Sequence, residues 1–125
     1  MPRSPSVDRV VAAPPEVVWD LIARTRHWPS WGPSVRAVEP ADAEVAPGAV
    51  GRVRTAAGPW LPYRITAVEP GRAWSWTVAG VGATGHRVDP HPAGCRVTFT
   101  VPWWATPYLV VCVAALRRID RLATT

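Results

Sequence analysis

Breaks rich in proline and glycine divide residues 40–94 of this chain at nearly regular intervals: Pro40, Pro47-Gly48, Gly58-Pro59, Pro70-Gly71, the 80–82 segment and the 90–94 segment. Proline fixes φ and removes a backbone donor, and glycine supplies the positive φ that tight turns need. A long helix cannot run through such punctuation. The pieces left between the breaks are strand-length, and they alternate apolar and polar residues. The spacing predicts strands over 35–39, 51–57, 60–69, 73–79, 83–89 and 95–101.

The ends of the chain read differently. Residues 6–12 form a further strand, with Val7, Arg9 and Val11 on one face. Pro14-Pro15-Glu16 then opens a helix, with proline in the first turn and an acid at its positive end. Val18, Trp19 and Ile22 form its apolar side, and it fades near Thr25. Pro29 and Pro33 restrict 26–33 to a short helical turn or two. From Trp104 or Thr106 to Ala123, the residues Tyr108, Val111, Cys112, Ala115, Ile119 and Leu122 recur at steps of three and four, giving one long helix with an apolar face. Consecutive strands on short turns pair antiparallel, and one apolar face needs a cover. The expected fold is therefore α+β: a curved antiparallel sheet of about seven strands around the C-terminal helix. It is a single domain over 1–125, with 1–6 a flexible tail.

Composition excludes several classes. All fourteen basic residues are arginine, and the net charge is +5. The arginines are scattered, no nucleic-acid motif is present, and the chain is not read as a nucleic-acid binder. Residues 97–116 carry no formal charge and match a membrane span in length. Alternation at Val97 to Val101, followed by Pro102 and Pro107, reads instead as strand, turn and amphipathic helix. Cys95 and Cys112 lack metal spacing and are read as reduced, packed thiols. The N-terminal stretch has no signal-peptide core, so the expectation is a cytoplasmic protein with no metal and no cofactor. The 80–85 segment superficially matches a dinucleotide fingerprint but lies between two strands, and is read as a glycine-rich hairpin.

The sequence from Val10 to Ile22, VVAAPPEVVWDLI, is followed by Trp28-Pro29-Ser30-Trp31 with Pro33. Val68-Glu69-Pro70-Gly71-Arg72-Ala73-Trp74-Ser75-Trp76 comes later, and Gly85-His86-Arg87-Val88 and Gly94-Cys95-Arg96-Val97-Thr98-Phe99 close the set. In order and spacing these motifs resemble the polyketide cyclase/dehydrase-like branch of the START and birch-pollen-allergen (SRPBCC) superfamily, over nearly the whole chain. The resemblance implies the helix-grip fold, with two short helices after the first strand, and an internal cavity for an apolar molecule. It carries no universal catalytic motif, so it transfers no catalytic residue.

Strand alternation assigns the inward face. The expected pocket comprises Val53, Thr55, Leu61, Tyr63, Ile65, Trp74, Trp76, Thr84, His86, Val97 and Phe99 from the sheet, and Tyr108, Val111, Cys112 and Ala115 from the helix. This is an apolar lining with few polar groups, as ligand pockets have. Trp19, Trp28 and Trp31 are read as core plugs. Trp74 and Trp76 fit either core filling or a ligand wall. The leading expectation is a non-catalytic carrier of a small hydrophobic molecule, monomeric or weakly dimeric. Two alternatives stand beside it. One is an aromatase/cyclase using His86 and Tyr63 as acid and base. The other is a peripheral membrane lipid or quinone carrier touching the surface through Trp103 and Trp104.

Overall fold

Seven antiparallel strands form one sheet in the order β1-β7-β6-β5-β4-β3-β2. They are β1 Ser6–Val11, β2 Val35–Glu39, β3 Val50–Thr55, β4 Trp60–Glu69, β5 Ala73–Val78, β6 Val81–His91 and β7 Gly94–Thr100. The structure, a computed structural model, describes residues 4–125. Of the tail expected over 1–6, residues 1–3 lie outside the described residues. The Pro5 carbonyl accepts the Val101 N–H at 3.0 Å, and Ser6 opens β1.

Between β1 and β2 lie helix α1 (Pro15–Ala23), a 3-10 turn (Thr25–His27) and the single turn α2 (Trp28–Trp31). After β7 a 3-10 segment (Trp103–Tyr108) leads into α3 (Leu109–Ala123). The long helix thus begins later than its periodicity suggests. Pro107 has no N–H to donate, and Ala105 sits outside helical geometry at φ −104°, ψ 18°. Helix α3 packs across β1 and β7 and against α1 and α2. It buries Cys112, Ala115, Leu116 and Ile119, while Leu122, expected on its apolar face, is exposed. An Arg9–Asp120 ion pair at 2.6 Å ties the edge strand β1 to this helix.

The sheet curls because its ladders are interrupted. The β4–β5 pairing shifts register between Ile65 and Ala67, and the β5–β6 pairing between Ser75 and Thr77. Each shift sets an extra residue against its neighbour and strengthens the local twist. The β5–β6 turn is Ala79-Gly80, with φ of 52° and 77°, so both strands reach the turn. This is why β6 starts at Val81, two residues before its expected start.

The curl directs one face of the sheet at the helices. Val53, Ile65, Trp74, Val88, Val97 and Phe99 are buried there with Val18, Ile22 and Trp28. The outer face carries ion pairs: Arg52 with Glu39, Arg87 with Glu69 and Asp89, and Arg96 with Asp8. These pairs engage part of the basic excess on the convex face. The uncharged stretch 97–116 is divided among strand, 3-10 turn and helix. Among the described residues no helix is long and apolar enough to cross a membrane.

Candidate functional site

Helix α1 is only nine residues long and ends inside the molecule. Its last carbonyls have no partner within the helix, and burial makes an unpaired carbonyl costly. Three indoles supply the donors. Trp31 Nε1 donates to the Leu21 carbonyl at 2.7 Å, and Trp28 Nε1 and Trp74 Nε1 both donate to the Ile22 carbonyl at 3.0 Å. A tryptophan donates one N–H and buries a large ring, so the same side chains satisfy the helix end and fill the space around it.

The result is a packed aromatic cluster. Trp28 stacks on Trp74 at 5.1 Å and 9°, and Trp76 meets both edge-on. His86 stacks on Trp74 at 3.9 Å, and Phe99 closes on His86 at 4.8 Å. The void left here, against Val111, Cys112 and Ala115 of α3, is about 40 Å³. That is room for a water molecule or two, not an organic ligand.

Toward the 3-10 segment the gap widens into a second chamber of about 290 Å³, open to solvent on one side. Its walls are Val53 and Thr55 from β3, Trp76 and Val78 from β5, Ala83 and Thr84 from β6, and Val101 after β7. Ala105, Tyr108 and Trp104 close it from the helical side. Apart from Trp76, Trp104 and Tyr108 at its borders, the side chains here are small or β-branched, where the other end packs Trp28, Trp31 and Trp74. Ser34, Val35, Trp76, Thr84 and Tyr108 border both spaces and form the neck between them.

The expected pocket residues therefore divide. Trp74, His86, Phe99, Val111, Cys112 and Ala115 border the small void, Val53 and Thr55 the chamber, and Trp76, Thr84 and Tyr108 both. Leu61, Tyr63, Ile65 and Val97 border neither. Ile65 and Val97 lie at the bottom of the core, at 1 % and 0 % exposure. Leu61 pairs with Val53 toward the β3 side of the sheet. Tyr63 is buried in the aromatic cluster, its ring 5.5 Å from Trp28 and 5.6 Å from Trp76, and its hydroxyl lies over Gly51, where a Cβ would stand 2.6 Å from it. Sequence reasoning missed Ser34, Val35, Val78, Ala83 and Ala105 as wall residues. The inward parity of Val78 was a usable signal; nothing local marked Ser34 or Ala105.

The polar groups at the neck form an ordered chain. Trp76 Nε1 donates to Thr84 Oγ1 at 3.0 Å, and Thr84 Oγ1 lies 3.0 Å from His86 Nε2. His86 Nδ1 lies 3.3 Å from the Trp74 carbonyl. That carbonyl can only accept, so Nδ1 carries the proton and Nε2 accepts from Thr84. Burial drives the His86 pKa down to about 3, opposed in part by the Trp74 carbonyl. The imidazole is therefore neutral at physiological pH, and both ring nitrogens are engaged. Tyr108 donates to Ser34 Oγ at 2.8 Å. Burial raises the Tyr108 hydroxyl and pushes the Cys112 thiol up to about 11. No charged side chain lines either space. Trp104 stands at the chamber mouth, and Trp103 beside it is exposed without lining the chamber.

The family described as polyketide cyclase/dehydrase and lipid transport matches residues 3–119. A solved structure from Chromobacterium violaceum is similar at 18 % identity, covering 100 % of this chain and 99 % of the other, with a TM-score of 0.73. One from Mesorhizobium loti is similar at 18 % identity, 96 % of each chain and a TM-score of 0.77. DynU16, from the dynemicin biosynthetic locus, is similar at 22 % identity and a TM-score of 0.70, covering 98 % of this chain and 48 % of that one. At these identities the structures share the fold. No curated protein matches the sequence.

Proposed function

This chain belongs to the polyketide cyclase/dehydrase and lipid transport family, and from that premise we propose that it is a non-catalytic carrier holding one small, uncharged, apolar molecule in the chamber beneath the 3-10 segment. The observation that carries this reading is the chamber itself: about 290 Å³, walled by Val53, Val78, Val101, Ala105 and Trp76, with no ionisable acid or base on it but the Tyr108 phenol. Its size lies at the lower limit of ligand pockets, about 300–1,000 Å³, which suits one or two rings rather than a two-chain lipid. Burying roughly 200 Å² of apolar ligand surface gains about 5 kcal/mol before ordering costs.

A cyclase reading finds less support. His86 has both nitrogens committed and is too weak a base at about 3. Tyr63, its expected partner, borders neither space. Isothermal titration with 1-methylnaphthalene tests the carrier proposal. Wild type is expected to bind one equivalent, and Val78→Phe, which fills the chamber, to bind at least tenfold more weakly while keeping its fold. Equal binding by both proteins would place the ligand elsewhere.

A second reading, a carrier that loads at a membrane surface, is favoured by the exposure of Trp103, at 78 %, next to Trp104 at the mouth. Co-sedimentation with phosphatidylcholine vesicles containing phosphatidylglycerol is its test. Binding lost in Trp103→Ala supports it, and no binding at low salt removes it.

A further inference from the structure

We infer that the chamber selects ligands at Thr84 by a hydrogen bond that the ligand must donate, so that its preferred cargo is an apolar molecule bearing a hydroxyl, over a bare hydrocarbon or a carboxylate. This rests on the carrier reading and deepens it. The argument is one of proton inventory. The Thr84 hydroxyl has one proton and two lone pairs. The proton is committed to His86 Nε2, because the Trp74 carbonyl holds the His86 proton on Nδ1. One lone pair takes the Trp76 indole N–H, which can only donate. What Thr84 has left at the neck is a lone pair.

The other threonine on the chamber wall is committed in the same sense. Thr55 Oγ1 donates to the Pro59 carbonyl at 3.1 Å, so it too has acceptor capacity to spare and no free proton. The Tyr108–Ser34 hydroxyl pair keeps one proton that no other residue takes among the described residues, and it adapts to either kind of ligand group. The two threonine hydroxyls, their protons committed, are therefore fixed acceptors, and Thr84 is the one at the neck. A ligand carbonyl placed against Thr84 would set two acceptors together, each stripped of water. A ligand hydroxyl finds a partner there. A site built to accept a hydroxyl proton discriminates strongly against analogues that lack one. With no cation on the wall, a carboxylate has no counter-charge either.

Titration calorimetry with four probes of one shape tests this: naphthalene, 1-methylnaphthalene, 1-naphthol and 1-naphthaldehyde. In wild type, 1-naphthol is expected to bind at least tenfold more tightly than 1-methylnaphthalene, and 1-naphthaldehyde clearly more weakly than 1-naphthol. The naphthol preference is expected to fall below threefold in Thr84→Val and to survive in Thr84→Ser. Binding of 1-naphthaldehyde as tight as that of 1-naphthol in wild type would overturn the inference while leaving the carrier reading intact. So would a hydroxyl preference that persists in a folded Thr84→Val. Failure of all four probes to bind would overturn both. The wild-type ranking decides the matter even if Thr84→Val does not fold.

Discussion

The space between sheet and helix has two ends built from the same strand parity, and they come out opposite. At the α1 end, inward positions carry Trp74, His86 and Phe99, joined by Trp28 and Trp31, and about 40 Å³ is left. At the 3-10 end, inward positions carry Val53, Thr55, Val78 and Thr84, with Trp76 shared at the neck, and about 290 Å³ is left. Alternation decides only that a side chain points inward. Its volume, and what it must satisfy there, decide whether the space closes. The α1 end closes because the Leu21 and Ile22 carbonyls need donors and indoles supply them. The open end has no comparable demand.

The largest stability effects belong to the filled end. Trp28→Ala removes a ring at 1 % exposure, its stack on Trp74 and one donor to Ile22, and is expected to cost about 3–5 kcal/mol in denaturant unfolding. Loss of under 1 kcal/mol would break the comparison.

Acid should weaken the same end. The folded pKa of His86, about 3, lies below its ordinary 6.5 because burial disfavours the charged form. Between those values the unfolded chain binds a proton that the folded chain does not. This contribution to stability is complete above pH 6.5 and falls by about 1.4 kcal/mol per pH unit as pH drops toward 3. Urea unfolding between pH 6 and 4 is expected to show this slope in wild type and to lose it in His86→Phe. An unchanged slope would mean that His86 titrates normally.

A smaller loss sharpens the role of the indoles. Trp31→Phe keeps most of the ring but leaves the Leu21 carbonyl unpaired, for an expected cost of about 1–3 kcal/mol. The smallest stability effect belongs to the open end. Val78→Phe grows into empty space and is expected to shift stability by less than about 1 kcal/mol while weakening 1-methylnaphthalene binding at least tenfold.

Much of the architecture was legible in the sequence because the turns are chemically marked. Strands β2 and β4 fall on their expected bounds, and the others depart by one or two residues. The Ala79-Gly80 turn shifted β6 because an alanine at φ 52° leaves no mark in a sequence. The site was legible only in direction. Parity placed Val53, Thr55, Trp76 and Thr84 inward, where they are. It placed Tyr63, Ile65 and Val97 inward with equal force, and those lie beside or below the space, because depth depends on curl and on contacts across the sheet. Ser34 reached the neck through the path of α2, fixed by the Trp31–Leu21 bond ten residues apart. No local pattern encodes that.

The most direct measurement is a methyl-resolved NMR titration of the intact chain with 1-methylnaphthalene. The account predicts shifts at the methyl groups of Val35, Val53, Val78, Val101 and Ala105, and none at Ile65, Val88 or Val97. Shifts centred on Ile65 and Val97, or no shifts up to the solubility of the probe, would contradict it.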